Sequence, residues 1–325
     1  MNHIFGPVNS RRLGRSLGID LFLKKICNLN CIYCEVGPTD HLTCQRDEYT
    51  PTADIICEIN KYCLQQERVA ELDFVTVTAS GEPTLHTGFG EILSHLKQAM
   101  EKPVAVLTNG TTLSDPAVRK ELSMADVVIP SLDAARLSSF RRIDRPATCL
   151  DLESIIDGLL AFSREYTGQI WLEILLAQGI NDSKDDIDAL RRVTSAMRID
   201  RIQLNTVARP PLEAFALPLP KEAMAEISRK FHQDDPDRAV DLLASGADQK
   251  DGGAVEKELY LANDAETQAL LAEIIEMLKR RPCTAADINR TFHLGGPDKV
   301  EQLLDPLVRG GRVQQRVHGD RLYYQ

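Results

Sequence analysis

Three cysteines lie close together in a segment that follows an apolar stretch. Cys27, Cys31 and Cys34 are separated by three and two residues in the run Cys-Asn-Leu-Asn-Cys-Ile-Tyr-Cys. Iron–sulfur clusters are normally held by cysteine thiolates, four when every iron has a protein ligand. Three thiolates can therefore hold three irons of a [4Fe-4S] cluster and leave the fourth iron open to bind a small molecule.

Two other interpretations of these cysteines stay open on spacing alone. A closed zinc site usually needs a second cysteine or histidine pair, and His41 and Cys44 follow the trio and could complete one. The trio could also be unliganded core cysteines. The remaining cysteines are scattered, and we expect free, buried side chains at Cys44, Cys57, Cys63, Cys149 and Cys283.

Composition limits the class of protein. The chain has 325 residues, a hydrophobic share of 43% and a net charge of −10, so we expect a globular protein that does not coat nucleic acid non-specifically. No apolar run approaches the length of a membrane span, and the first residues lack the features of a signal peptide. The cysteine cluster suits a reducing compartment. We therefore expect a cytoplasmic protein without membrane contact.

Predicted strands alternate with predicted helices through residues 1–208, which indicates parallel βα units. The sequence thus predicts an α/β core, a partial (β/α)6 TIM-like barrel. The predicted strands are 18–23, 74–79, 104–108, 126–131, 170–177 and 201–207. The predicted helices are 52–66, 86–100, 150–166 and 182–197.

The rest of the chain has a different pattern. Residues 209–264 are rich in proline and then in polar residues, and we expect a connecting segment with a helix near 221–232. Residues 265–325 predict a small C-terminal winged helix-turn-helix domain. Its predicted helices are 266–281, 285–292 and 298–308, and its predicted strands are 312–317 and 321–324.

The cysteine spacing, with Tyr33 directly before the last cysteine, resembles the signature of the radical S-adenosylmethionine (radical SAM) enzymes. Three further segments support the resemblance: residues 10–21, Ala-Ser-Gly-Glu-Pro-Thr-Leu at 79–85 and Leu-Thr-Asn-Gly at 107–110. Together they are similar to the Fe–S oxidoreductase branch related to the wyosine-forming tRNA enzymes. The resemblance implies a [4Fe-4S] cluster, S-adenosyl-L-methionine and an electron donor such as flavodoxin or ferredoxin.

Several polar residues fall at the C-terminal ends of predicted strands, where sites of parallel sheets gather. The carboxylate of Glu82 could hold a cationic amine, and Ser131 or Asp133 could bind ribose hydroxyls. The resemblance assigns the methionine amine to the segment around Glu82, and adenine to Gly179 and Ile180. The full set of predicted cofactor-binding residues is Tyr33, Ser80, Gly81, Glu82, Asn109, Ser131, Asp133, Gly179 and Ile180.

The resemblance implies reductive cleavage of S-adenosylmethionine to a 5′-deoxyadenosyl radical that abstracts hydrogen from a substrate. Arginines in several loops suit phosphate or carboxylate, or form a solvated face. Together with the resemblance to the wyosine-forming enzymes, they point to RNA or tRNA modification. A peptide or protein substrate is the alternative. No catalytic side chain is assigned. The arginines are Arg11, Arg12, Arg15, Arg141, Arg142, Arg145 and Arg209.

A DNA-binding regulator that senses redox state through the cluster is the alternative of another class. Residues 265–325 hold 9 Lys and Arg and 8 Asp and Glu, so this region is nearly neutral. Its predicted recognition helix carries Asp298, Glu301 and Asp305, whose carboxylates would meet DNA phosphates unfavourably. DNA is therefore not favoured as a partner.

Overall fold

The computed structural model describes residues 1–10, 12–243 and 264–325, without the side chains of 264–266. Arg11 and the later part of the predicted connection, 244–263, therefore lie outside the described residues. Within the described ranges, no helix is both long enough and apolar enough to cross a membrane.

Twelve strands are present in the described part of the chain. They are β1 (Ile4–Ser10), β2 (Gly14–Asp20), β3 (Ile26–Cys27), β4 (His41–Leu42), β5 (Phe74–Thr78), β6 (Val104–Thr108), β7 (Val127–Pro130), β8 (Gln169–Leu176), β9 (Arg201–Thr206), β10 (Ala239–Leu242), β11 (Gln315–His318) and β12 (Arg321–Tyr324). The main sheet has the order β1-β2-β5-β6-β7-β8-β9-β10. Its first pair is antiparallel and every following pair is parallel.

Helices connect consecutive parallel strands of the main sheet, as the alternating pattern predicts. They are α1 (Thr52–Cys63), α2 (Gln66–Ala70), α3 (Phe89–Ala99), α4 (Pro116–Leu122), α5 (Leu137–Ile143), α6 (Leu152–Glu165), α7 (Lys184–Ser195) and α8 (Lys221–Asp234), with a short 3-10 helix at Pro83–Leu85. Three more helices follow β10: α9 (Asp264–Leu278), α10 (Ala285–Phe292) and α11 (Pro297–Arg309). This α/β architecture with a mostly parallel sheet is consistent with the predicted partial barrel.

The sheet differs from the prediction at both edges. The predicted first strand, 18–23, is wrong in its bounds, because β2 begins at Gly14 and ends at Asp20. The strand ends there because the Asp20 carboxylate accepts hydrogen bonds from the N–H groups of Phe22 and Ser80. The edge strand β1 was not predicted, since Gly6 and Pro7 interrupt its alternation where the pairing register shifts. At the other edge, β10 pairs with β9 inside the segment predicted as a connection.

The two faces of the strands have different environments. On β5, Val75 and Val77 are fully buried in the main hydrophobic cluster with the helices. Thr76 and Thr78, on the opposite face of the sheet, line a cavity that lies against this face. Because side chains alternate between the faces of a strand, one face stabilises the fold by apolar burial while the other supplies polar groups to the interior.

The C-terminal unit consists of α9, α10, α11 and the antiparallel pair β11–β12. The order and positions of these elements agree with the prediction, while their assignment as a winged helix stays a prediction. The unit has its own hydrophobic cluster, which also contains Val8 of β1. Arg280 forms an ion pair with Asp20 at 3.0 Å and lies over the Phe5 ring at 4.9 Å. The unit is therefore packed against the β1 edge of the sheet.

We expect Gly158→Ala to destabilise the protein. In most helix interiors the same change is stabilising, because alanine has a helix propensity about 1 kcal/mol better than that of glycine. A Cβ at Gly158 in α6 would lie 2.4 Å from the backbone nitrogen of Ser114, and overpacking of this kind costs about 1–3 kcal/mol. Thermal unfolding measures the effect. Asp157→Ala, at the exposed neighbouring position, is the control. A higher melting temperature for Gly158→Ala would contradict this packing.

Candidate cluster and cofactor site

The cysteine loop begins at the short strand β3, which is held between two other segments. The Ile26 N–H donates to the Ser80 carbonyl at 3.0 Å, and the Glu82 N–H donates to the Ile26 carbonyl at 2.9 Å. On the other side, the Thr43 N–H donates to the Cys27 carbonyl at 3.0 Å. Backbone hydrogen bonds therefore fix the first cysteine from both sides.

The contact between this strand and the 80–82 segment requires glycine at position 81. Gly81 has a φ of +127°, and a Cβ there would lie 1.7 Å from the Ile26 carbonyl oxygen. Only glycine adopts such a conformation without strain. Gly81 thus allows the cysteine loop to lie directly against the end of β5.

The three predicted cluster ligands share one cavity of about 160 Å³. The ammonium group of Lys25 lies 3.0 Å from Cys34 Sγ. The Leu29 N–H donates to Cys27 Sγ at 3.4 Å, and Asn109 Nδ2 lies 3.7 Å from the same sulfur. Several donors therefore surround the sulfurs, as they do around the thiolates of cluster-binding loops.

Burial strongly affects the protonation of the thiols of Cys27 and Cys31. It raises the pKa of Cys27 to about 12, and it raises the pKa of Cys31 well above its usual range, with a further contribution from the Asp144 carboxylate. Thiolates in this cavity therefore need a compensating positive charge, which the irons of a cluster provide. The residues present fit a [4Fe-4S] cluster held by three thiolates.

A zinc site completed by the downstream residues does not match the geometry. His41 is exposed on β4, and Cys44 forms a disulfide with Cys149. Among the residues that the structure describes, no group of three or more His, Cys, Asp or Glu side chains is arranged to hold a single metal ion. The thiols instead surround a shared cavity.

The expectation of free, buried cysteines outside the trio is only partly correct. It is wrong for Cys44 and Cys149, because the cysteine loop brings together the segments that carry them. The disulfide joins a stretch next to Thr43, which bonds Cys27, to a stretch next to Ala147, whose N–H donates to the Asn28 carbonyl. Elsewhere, Cys283 is buried, Cys63 is half-buried and Cys57 is exposed.

Glu82 is buried, and its carboxylate contacts the ends of two strands. Oε1 accepts hydrogen bonds from Thr108 Oγ1 at 2.7 Å and from the N–H and hydroxyl of Thr84. Oε2 accepts the Asn109 N–H at 2.6 Å. Burial raises the pKa of Glu82 in opposition to these donors. Its observed contacts position the Asn109 turn, whereas its predicted contact with an amine stays a prediction.

Tyr33 and Asp133 lie in direct contact inside the cavity. The Tyr33 hydroxyl donates to Asp133 Oδ2, and the Leu175 N–H donates to Asp133 Oδ1 at 2.8 Å. Burial raises the pKa of Asp133 to about 7 and, together with the Asp133 charge, raises that of Asp144. Both oxygens of Asp133 therefore already have protein donors.

The predicted cofactor residues separate into two groups. The cavity lining brings together Tyr33, Gly81, Asn109, Ser131 and Asp133 with the three cysteines. The other group lies outside this lining. Ser80 lines a second, neighbouring cavity, and Glu82 is buried behind the lining of the first. Gly179 and Ile180 occupy the loop after β8.

Sequence reasoning missed four polar residues that organise the site. Asn28 accepts a hydrogen bond from Asn109 Nδ2 at 2.8 Å and donates to Thr111 Oγ1. Asn181 Nδ2 donates to the carbonyl of Asp133 at 2.8 Å, which ties the loop after β8 to the end of β7. Thr111 is the third of these residues, and the fourth, Asp144, faces Cys31. Their only sequence signal was nearness to the motifs, since the bonds from Asn28 to Thr111, from Asn181 to Asp133 and from Cys31 to Asp144 join positions far apart in sequence.

A second cavity, of about 260 Å³, adjoins the first. Its walls come from β1, β2 and β5 on one side and from the C-terminal unit on the other. Val36 and Ala79 line both cavities. A molecule in the second cavity would therefore lie next to the site of the cysteines.

Comparison with known proteins identifies the family. The family model of the radical SAM superfamily matches residues 22–194. A UPF0026 protein of Synechocystis is 38% identical over 212 residues, which are 65% of this chain and 77% of that protein. A Brachyspira hyodysenteriae protein named GTPase Obg is 34% identical over 321 residues; these are 99% of this chain but only 45% of that protein.

A solved structure with a similar fold is that of a radical SAM methyltransferase from Sphaerobacter thermophilus. The TM-score is 0.54 at 14% identity, and the match covers 70% of this chain and 65% of that one. At this identity the match concerns the fold alone. The family model and the UPF0026 relative show the family: the chain belongs to the radical SAM superfamily and to the UPF0026 family.

Proposed function

We propose that this enzyme cleaves S-adenosylmethionine reductively and uses the resulting radical to abstract hydrogen from a substrate in the second cavity. The observation that carries the proposal is the single cavity shared by Cys27, Cys31 and Cys34 with polar strand-end residues. When bound, a [4Fe-4S] cluster supplies the electron that splits S-adenosylmethionine into methionine and a 5′-deoxyadenosyl radical. The protein holds the reactants and excludes water.

The contacts of Ser131 and Asp133 support a choice between them as the ribose ligand. Asp133 is engaged by Tyr33 and by the Leu175 N–H. Within the described residues, the Ser131 hydroxyl makes no hydrogen bond although Ser131 lines the cavity. We therefore assign the ribose contact to Ser131 and a positioning role to Asp133, which orients the Tyr33 ring.

The remaining cofactor contacts follow the family resemblance. The backbone at Ser80 and Gly81 would receive the methionine amine, with Glu82 fixing the neighbouring turn. Asn109 would contact the methionine carboxylate or the ribose. Gly179 and Ile180 would contact adenine, which requires the loop after β8 to close over the cavity.

The substrate that we favour is RNA, such as a tRNA base. The resemblance to the wyosine-forming enzymes and the arginines of the second cavity support this choice. A peptide or protein substrate is the alternative. The C-terminal unit has the element order of a winged helix and would dock either macromolecule. The enzyme would act in the cytoplasm, where flavodoxin or ferredoxin would supply the electron.

The other classes of function receive less support. For a DNA-binding regulator, Asp298 and Glu301 of α11 are exposed and would meet phosphates, and Asp305 pairs with Arg309 at 2.7 Å. For a structural zinc protein, neither His41 nor Cys44 is placed to complete a site with the trio.

Replacing Cys27, Cys31 or Cys34 by Ala should remove most of the iron, because two thiolates hold a cluster poorly. Iron and sulfide are quantified in protein purified and reconstituted without oxygen. The matched controls are Cys57→Ala and Cys283→Ala, which should keep the cluster. If a control variant loses iron as completely as Cys34→Ala, the assignment of three ligands is wrong.

Ser131→Ala should weaken S-adenosylmethionine binding by about fivefold to tenfold, the effect of one hydrogen bond of about 1 kcal/mol. Equilibrium binding to the reconstituted protein measures it. Asp133→Asn keeps the shape of the side chain and should have the smaller effect. A larger loss for Asp133→Asn than for Ser131→Ala would reverse the assignment of the ribose contact.

If RNA is the substrate, its binding should weaken steeply with salt, by about 0.7 log units per contacted phosphate for each tenfold rise in ionic strength. Titrations of unfractionated tRNA at several salt concentrations measure the slope. An unrelated RNA hairpin is the control for non-specific attraction. A flat salt dependence, or equal affinity for both RNAs, would favour the peptide or protein alternative.

A further inference from the structure

The second cavity is strongly cationic in a chain whose net charge is −10. More arginines than carboxylates line it, which leaves a formal excess of positive charge within one enclosed space. Its arginines are Arg12, Arg209, Arg280, Arg281, Arg290 and Arg321, and its carboxylates are Asp20, Glu35 and Asp287.

Three of these arginines have close carboxylate partners. Arg209 pairs with Glu35 at 2.9 Å, and Arg280 pairs with Asp20 at 3.0 Å. Arg12 forms a close ion pair with a glutamate of β8. Their charges are largely compensated, so their contacts stabilise the walls of the cavity.

The other three arginines, all from the C-terminal unit, are compensated less fully. Arg281 Nε is buried without a hydrogen bond, and in the described part of the chain no carboxylate lies within ion-pair distance of this guanidinium. Arg290 forms a longer ion pair with Asp287 at 3.7 Å, and Arg321 one with Asp320, whose side chain is exposed to solvent, at 3.9 Å. All three side chains line the cavity.

The Asp287 carboxylate compensates this excess only in part. It caps α10 by accepting a hydrogen bond from the Thr284 N–H. Burial opposes its ionisation, but the charge of Arg209 and the bonds from Thr284 keep the pKa of Asp287 below its usual value. This one ionised carboxylate is shared among several guanidinium groups, so the remaining positive charge favours an anionic ligand.

We propose that Arg281, Arg290 and Arg321 bind a phosphate group of the substrate. Guanidinium groups offer paired N–H donors that match phosphate oxygens, and a phosphate group presents more acceptor oxygens to three of them than one carboxylate does. This inference rests on the proposed function and names the chemical class of its substrate.

The rest of the cavity suits the uncharged part of such a molecule. Its opposite wall carries the hydroxyls of Ser16, Thr76 and Thr78. Ser16 and Thr76 bond to each other at 2.6 Å, and the remaining capacity of these hydroxyls suits sugar or base groups. A volume of about 260 Å³ is near the lower end of the range for small-molecule sites. The shared residues Val36 and Ala79 place the bound molecule beside the cofactor cavity, within reach of hydrogen abstraction.

Isothermal titration of the reconstituted full-length protein with adenosine 5′-monophosphate, and separately with inorganic phosphate, tests the site. We expect Arg281→Gln and Arg290→Gln each to weaken binding of both probes by about tenfold or more, the effect of losing a charge-assisted hydrogen bond. Arg281→Lys should retain part of the affinity, because it keeps the charge and loses the paired donors.

The matched control is Arg309→Gln, an exposed arginine of the same unit that pairs with Asp305 outside the cavity. It should bind both probes as the wild type does, and thermal unfolding verifies that every variant is folded. Equal affinity of wild type and Arg281→Gln would overturn the proposal, as would an equal loss in Arg309→Gln. Tighter binding of glutarate than of phosphate would assign the site to carboxylates and also overturn it.

Two further measurements separate the possible outcomes. If adenosine monophosphate fails to bind but tRNA binds and Arg281→Gln weakens it, the phosphate belongs to an RNA chain, and the proposal stands. Release of 5′-deoxyadenosine by the wild type is measured independently. Its absence would refute the proposed radical function without bearing on phosphate binding, whereas its presence with no phosphate site would refute this inference alone.

Discussion

Two buried carboxylates fasten the strand ends on which both cavities depend. Glu82 accepts hydrogen bonds from Thr108 and Asn109, so it joins the ends of β5 and β6. Asp20 accepts the N–H and hydroxyl of Ser80 and pairs with Arg280 of the C-terminal unit. Loss of the donors to a buried carboxylate would lower the stability of the folded state by several kcal/mol. These contacts therefore hold the strand ends in one arrangement.

The same contacts connect the cysteine cavity with the second cavity, where we propose that the substrate binds. Ser80, held by Asp20, faces the second cavity, while the adjacent Gly81 faces the cysteines. The C-terminal unit contributes Arg281, Arg290 and Arg321 to the walls of the second cavity. Radical SAM chemistry needs a reactive intermediate kept away from water and close to its substrate, and two adjoining cavities with common walls provide this arrangement.

Much of this organisation could be predicted from local sequence signals. The strand–helix alternation predicted most elements, and the motifs at the strand ends predicted five residues that do line the cysteine cavity. The unpredicted features depend on tertiary contacts. The edge strand β1 is interrupted by Gly6-Pro7, the pairing of Cys44 with Cys149 depends on two segments meeting at the cysteine loop, and the bonds from Asn28 to Thr111 and from Asn181 to Asp133 join positions far apart in sequence.

The central claim is that the three thiolates hold a cluster that cleaves S-adenosylmethionine. The most direct measurement incubates anaerobically reconstituted, dithionite-reduced protein with S-adenosylmethionine and quantifies the products by mass spectrometry. We expect 5′-deoxyadenosine and methionine in equal amounts, formed slowly without substrate and absent when any cysteine of the trio is replaced. A protein with a full complement of iron and sulfide that binds S-adenosylmethionine yet releases no 5′-deoxyadenosine would contradict the claim.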